Sequence, residues 1–256
     1  RPNVMAKVAL QFRKPGVKPF VYFLFPITIF WVSGFAFLQY FPLPKSTHEQ
    51  NYARVLLARD GQLLGAQIAS DHQWRFAPVE QLPAKYVQAV LAFEDQRFYQ
   101  HAGLDVSAIG RAALSNIRKG RVVSGGSTIT MQLARMLRQE SSEEQPPRNL
   151  WSKLCGAFIA TQLEWRFSKD EILRDYANHA PFGGNIIGLH AAAWRYFGRA
   201  PEQLSWAEAA VLAVLPNSPS MMHLGLQREL LQQKRDRLLH KLHSKKIINE
   251  LDLQLA

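Results

Sequence analysis

The chain has almost no cysteine. Cys155 is the single thiol in 256 residues, so no internal disulfide can form and no cysteine cluster can hold a metal. A lone thiol leaves the redox compartment open. No Gly-Lys-Ser/Thr string is present, which excludes a P-loop nucleotide site. No internal repeat is visible. Acidic residues are outnumbered, with 20 Asp and Glu against 31 Lys and Arg, for a net charge of +11. Such a balance suits a polyanionic partner: nucleic acid, anionic lipid or a phosphorylated substrate. The basic residues are spread widely and part of their N-terminal excess has a topological reason, so nucleic acid is not expected. Hydrophobic residues make up 47% and charged residues 20%, which excludes a disordered chain. Beyond the N-terminus the length suits one folded domain of roughly 200 residues.

Charge is also missing locally. From Pro19 to Pro44 (PFVYFLFPITIFWVSGFAFLQYFPLP) there is no charged residue. A span of about 20 apolar residues crosses a bilayer core of about 30 Å, so this run is long enough. Pro26 is tolerable in a membrane helix. Arg1, Lys7, Arg13, Lys14 and Lys18 precede the run with no acid among them. The positive-inside rule then puts residues 1–18 in the cytoplasm as a basic tail, 19–44 across the membrane as a single anchor, and 45–256 outside. A cleaved signal peptide has an apolar region of only about 7–15 residues and a small-residue cleavage site, and FLQYFPLPKS is a poor one.

Asp60-Gly61, between Arg54–Arg59 and Gln62–Ala69, favours a tight turn and predicts a small β-hairpin. The rest reads as helical: Pro83–Gln100, Asp105–Lys119, Ser127–Gln139, Leu150–Phe167, Lys169–Asn178, Asn185–Phe197, Trp206–Val214 and Gln227–His243. Asp105 is a candidate N-cap, and Ser168-x-x-Glu171 and Ser205-x-x-Glu208 are capping-box patterns. Glu140–Pro147 (ESSEEQPP) reads as a loop. The fold class is therefore mainly α, with a small β-hairpin and an N-terminal transmembrane helix.

Two stretches carry chemistry. In the first, AVLAFEDQRFYQHAGLD, helical spacing sets Glu94 on one face with Val87, Val90, Leu91 and Phe98. An anionic carboxylate on an apolar face is costly, so its pKa rises, which is how a general acid or base is tuned. A helix-edge glutamate paired with a basic side chain fits the same spacing. Asp95 reads as a second site group or a local cap. His101 reads as a base or, with Ala102-Gly103-Leu104-Asp105, as the turn into the next helix. In the second, Ser124-Gly-Gly-Ser-Thr-Ile-Thr-Met-Gln132, glycines open the backbone to a ligand and a helix start offers N–H groups and a favourable dipole to phosphate. Ser127 and Thr128 add hydroxyls and Arg135 follows. An ordinary N-cap after a flexible loop fits this string equally.

Together these strings resemble the glycosyltransferase family 51 domain of penicillin-binding proteins and monofunctional transglycosylases. The resemblance runs in order from Arg54 to Ser220. The first family motif stands as Glu94, Asp95, Phe98, His101, Gly103 and Asp105. The second stands as Gly126-Ser127-Thr128-Ile129-Thr130-Met131-Gln132, with Arg135 where lysine is usual. The third is weaker, with Arg148, Trp151 and Lys153; the fourth runs from Ser168 to Arg199 and the fifth from Leu204 to Ser220. Met131-Gln132, Gln162–Trp165 and Ala180–Gly184 look closest to the 1C type. Ser152 and Gly156 stand where the family's third motif carries arginine and glutamate, so the second active-site carboxylate is absent; Glu164, further along, does not simply replace it. No Ser-x-x-Lys, Ser-Asp-Asn or Lys-Thr-Gly string of a transpeptidase half appears. The expectation is a monofunctional chain or, given the non-methionine start, a fragment.

The resemblance implies a lysozyme-like helical fold with a membrane-embedded apolar subdomain, acting on lipid II. Glu94 would be the base. Ser127, Thr128, Thr130, Arg135, Arg148 and Lys153 would receive the diphosphate, with Asp95, Gln132 and Asn178 binding or positioning sugar and phosphate groups. No cofactor is required and no protein metal cluster is seen, although a divalent cation, Mg or Mn, assists some family members. The implied partners are lipid II, the growing glycan strand, membrane lipids and other wall-synthesis proteins. The competing readings are a lytic muramidase and a catalytically impaired scaffold, the latter motivated by Gly156.

Overall fold

The structure is a computed structural model that describes residues 51–121, 125–140, 150–217 and 228–256, with Ser33 in isolation. The basic tail, the predicted anchor and Arg148 lie outside these residues. Among the described residues no helix is long and apolar enough to cross a membrane. By backbone contacts the chain divides into Arg1–Pro42 and Leu43–Ala256, and all the elements below belong to the second.

The expected hairpin forms, with shorter strands. β1 (Arg54–Leu57) pairs antiparallel with β2 (Leu63–Gln67), Arg54 facing Gln67, with a register shift between Leu56 and Leu57. Gly61 takes φ +84°, which glycine adopts without a Cβ clash. The Asp60 carboxylate accepts from the Gln62 N–H at 3.1 Å and closes the turn. A second pair was not expected from the sequence. β3 (Trp74–Arg75) runs parallel to β4 (Ile186–Ile187). It displaces the start of the helix predicted from Asn185, because Gly183, Gly184 and Gly188 all have positive φ and Ile186 and Ile187 are drawn into the ladder.

The remainder is helical: α1 (Ala84–Glu94), α2 (Val106–Lys119), α3 (Ile129–Glu140), α4 (Leu150–Arg166), α5 (Lys169–His179), α6 (Leu189–Phe197), α7 (Trp206–Val214), α8 (Arg228–Ser244) and the short α9 (Glu250–Gln254). Asp105 caps α2, accepting from the Ala108 N–H at 2.8 Å. Both capping boxes close, Ser168 with Glu171 on α5 and Ser205 with Glu208 on α7. The fold is thus mainly helical with two small sheets.

The helix predicted over Pro83–Gln100 ends at Glu94. Asp95 swings to φ −155° and a single 3-10 turn, Phe98–Gln100, follows. The cause is tertiary: the Asp95 carboxylate is drawn to the start of α3. Phe98 is therefore not on Glu94's helical face, although it is fully buried.

The core joins Tyr86, Val90, Phe98, Leu133, Leu173, Tyr176, Phe182 and Leu212. α3 sits between α4 and α5, and α1 packs on α7 and α8. From α3, Ile129, Leu133, Ala134, Met136 and Leu137 face inward. Each large side chain of this kind stabilises by about 1.5–3 kcal/mol on burial. This packing fixes the α1 end against the α3 start.

Candidate functional site

Two helix ends meet at the site. Helix α1 delivers Glu94 at its last turn, and α3 begins at Ile129, just beyond the glycine–serine loop. Gln132, one turn into α3, donates from Nε2 to Glu94 Oε2 at 2.7 Å. Asp95 accepts from the Ile129 N–H at 3.2 Å and lies 3.0 and 3.1 Å from His101 Nε2. A carboxylate at a helix start satisfies an N–H that has no partner within the helix and complements the dipole. Asp95 is 6% exposed, so its work is to tie α1 to α3, with His101 holding its far side. His101 thus fixes the turn.

Thr128 caps α3. Its hydroxyl accepts from the Met131 N–H at 3.2 Å and donates to the Gly103 carbonyl at 2.5 Å. Gly103 has φ +83°, and a Cβ there would meet the Ala160 carbonyl of α4 at 3.0 Å. Gly126 comes so close to α2 that a Cβ would lie 2.8 Å from Ile109 Cα. These two contacts require glycine and bring the loop onto the groove.

The groove is a cavity of about 260 Å³ lined by Glu94, Asp95, Arg97, Arg111 and the Gly125–Thr128 turn. Arg97 forks onto the Asp105 carboxylate and also reaches Ser107, while Arg111 donates to Ser107 at 2.8 Å. Burial raises the Asp105 carboxyl, but hydrogen bonds from Ala108, Arg97 and Ser107 outweigh it and bring it down to about 2. Glu94 goes the other way. Burial lifts it from 4.5 to about 7; Asp95 adds to the rise, and Gln132, Arg135 and Lys234 oppose it. A carboxyl poised near neutrality suits proton transfer.

The sequence-predicted residues divide into three groups. Glu94, Asp95, Ser127, Thr128 and Gln132 converge on the groove or its wall; Ser127 is exposed there, and Arg135 is an exposed cation whose field reaches Glu94. Lys153 is an exposed residue of α4 outside the groove lining, and Arg148 lies outside the described residues. Thr130 and Asn178 are used elsewhere. Thr130 is fully buried and donates to Glu164 Oε1 at 2.5 Å, so its hydroxyl faces the core and not a ligand. Asn178 accepts from the Val79 N–H at 2.9 Å and donates to the Val79 carbonyl at 3.2 Å, which commits its amide to joining α5 to the segment before α1. Glu164, also paired with Lys169 at 2.8 Å, is a buried structural acid.

Sequence reasoning missed Lys234 on α8. Its clue was its spacing seven residues before Lys241, which places both on one helical face. Lys241 Nζ donates to the Ala92 carbonyl of α1 at 2.5 Å, a cation at a helix C-terminus. At Gly156 an added Cβ meets nothing within 4 Å. Among the described residues no group of three or more His, Cys, Asp or Glu side chains gathers to hold a metal.

A mainly helical domain with a half-buried carboxylate beside a loop-to-helix junction is thus the frame of the site. The transglycosylase family model matches residues 60–243, and the chain belongs to that family. Penicillin-binding protein 1C of Escherichia coli K12 is 41% identical over 202 residues, covering 78% of this chain and 25% of that protein. Penicillin-binding protein 1A of Aquifex aeolicus VF5 is 37% identical over 167 residues, covering 65% and 22%. The chain therefore spans about a quarter of the length of these relatives. The crystal structure of penicillin-binding protein 1A from Haemophilus influenzae matches at 19% identity and a TM-score of 0.41, covering 80% of this chain and 20% of that one.

Proposed function

We propose that the chain is a peptidoglycan glycosyltransferase that polymerises lipid II into β-1,4-linked strands and releases undecaprenyl diphosphate. The observation that carries this is Glu94: a half-buried carboxyl near neutral pKa, gripped by Gln132, at the edge of a groove that also holds the α3 start and two arginines. Family membership supports the same chemistry.

In this reading Glu94 takes the proton of the acceptor sugar's 4-hydroxyl. That oxygen attacks the anomeric carbon of the growing chain from the face opposite the diphosphate. The bond from that carbon to the phosphate oxygen breaks, its electron pair leaves with the diphosphate, and the configuration inverts. Negative charge grows on the leaving group, where fixed cations and N–H groups act best. Ser127 and the loop around it, with Arg97, Arg111 and Arg135, are the described groups suited to receive it; Arg148 and Lys153 join them in this reading. Among the described residues no group of three or more His, Cys, Asp or Glu side chains gathers to hold a divalent cation, and every step here is carried by the chain's own residues.

The reading includes a single-pass anchor at 19–44 and an extracytoplasmic domain. Helix α2 supports it: Val106 and Ile117 are 77% and 78% exposed, Ile109 and Leu114 are exposed too, and Arg118 and Lys119 close the helix. Apolar side chains beside basic ones suit an anionic bilayer surface, where the lipid-linked substrate is confined. Membrane lipids and other wall-synthesis proteins remain the expected partners.

A lytic muramidase is disfavoured by the acids. Hydrolysis commonly uses a carboxylate pair across the scissile bond. Asp95 is committed to Ile129 and His101, and Glu164 to Thr130 and Lys169. The impaired-scaffold reading has Gly156 in its favour. Supplying lipid II to the purified chain separates the three: long glycan strands support the transferase, binding without turnover supports the scaffold, and soluble fragments from finished peptidoglycan support the muramidase.

A further inference from the structure

Helix α8 ends in a turn that the chemistry above does not use. Lys246 has φ +59°, a left-handed conformation that glycine adopts far more readily than lysine. Its N–H donates to the His243 carbonyl at 2.8 Å, and the Ile247 N–H donates to the Leu242 carbonyl at 3.0 Å. These two bonds close the helix. Leu242, fully buried, and Ile247 beside it pin the turn to the core. A lysine held where glycine fits best is backbone strain of the kind that gathers at binding sites.

The turn brings Lys245 to the groove. Lys245 Nζ donates to Gln96 Oε1 at 2.6 Å, and Gln96 lines the groove two residues past Glu94. One turn back, Lys241 Nζ holds the Ala92 carbonyl, so α8 is clamped to the helix that delivers Glu94. Burial lowers the Lys241 pKa and Lys245 lowers it further, because the two ammoniums crowd each other. An incoming anion relieves that repulsion. Gln96 gives its oxygen to Lys245, so its Nε2 is left to donate, and the ammonium has further N–H groups of its own. Together the two side chains offer donors and a positive charge. An acceptor suits them, and an anionic one best.

We propose that Lys245 and Gln96 are specificity-determining residues that bind a carboxylate of the peptide carried by the disaccharide of lipid II. This rests on the reading of the groove as the lipid II site. The diphosphate is the other anion of that substrate. It already has receivers in the Ser127 loop, Arg97 and Arg111, which line the groove with Glu94. Lys245 is exposed and reaches the groove only through Gln96, itself exposed. That placement suits a branch of the substrate outside the reacting centre. The peptide is such a branch, since it takes no part in the bond exchange at Glu94.

The test is equilibrium binding without turnover. One probe is lipid II lacking the acceptor 4-hydroxyl, which cannot polymerise. The other is the same molecule with its peptide carboxylates converted to primary amides. The full chain in detergent should bind the carboxylate form about fivefold more tightly, the upper end for one exposed ion pair. Lys245→Gln and Gln96→Leu should each lose most of that preference, while Lys245→Arg, which keeps the charge, should retain it. Both positions are exposed, so melting temperatures should stay near wild type. A wild type that binds both forms equally, or a preference that survives in Lys245→Gln, would overturn the proposal. Losses equal for both forms would place the two side chains against the diphosphate and overturn it as well. A wild type that binds neither form would instead sink the reading of the groove, and the proposal with it.

Discussion

Replacing Glu94 with glutamine should stabilise the protein in alkaline but not in acidic solution. The Glu94 carboxyl is raised from 4.5 to about 7, chiefly by burial. The folded state then holds this proton more tightly than the unfolded state does. Stability linked to it is fully present below pH 4.5 and is lost as pH rises through about 7. At about 1.4 kcal/mol per pH unit, ionising Glu94 in the fold costs about 3 kcal/mol by pH 8. Glutamine is neutral at every pH, and its side-chain oxygen can still accept from Gln132. Urea unfolding followed by tryptophan fluorescence, run on both proteins from pH 5 to pH 8, reads the difference directly. The gap should be small near pH 5 and widen to about 3 kcal/mol at pH 8 in favour of Glu94→Gln. For a chain of this size that is a melting difference of roughly 6–12 °C. A gap that does not change with pH would refute the claim that burial perturbs this carboxyl.

Three further outcomes follow from the geometry. Thr130→Val should cost about 1–3 kcal/mol in unfolding free energy, since Glu164 loses a buried donor, while polymerisation per folded molecule stays at wild-type level. Asn178→Ala should likewise lower the melting temperature, by the same mechanism at Val79, and leave lipid II affinity unchanged. Gly156→Glu should fold with stability within about 1 kcal/mol of wild type, because its Cβ enters open space and the helix loses a glycine; strand synthesis at or above wild-type rate is expected, and severe inhibition would count against the position assigned to the missing family carboxylate.

How much of this was legible in the sequence depends on the distance to each residue's partner. The capping boxes at Ser168 and Ser205 and the N-cap at Asp105 were readable because donor and acceptor lie three residues apart. Glu94 was readable from the apolar positions around it and from its motif. The end of α1 was not, since the groups that pull Asp95 out of the helix are His101 and the Ile129 N–H, the latter 34 residues away. What each hydroxyl of the glycine–hydroxyl string holds was not legible for a related reason. Helical spacing cannot tell a hydroxyl facing a ligand from one facing the core, and Thr128 and Thr130 turn to Gly103 and Glu164. Lys234 enters the field of Glu94 only because α8 packs on α1, a contact between segments far apart in the chain. The two-residue β3–β4 pair is too short to leave a period in the sequence.

The most direct test is glycan strand formation from lipid II by the purified chain in detergent, wild type against Glu94→Gln. The account predicts strands from the wild type, with an acid limb near pH 7, and a rate at least about a hundredfold lower from the variant, the usual cost of losing a general base. Strands made by Glu94→Gln at the wild-type rate would contradict it.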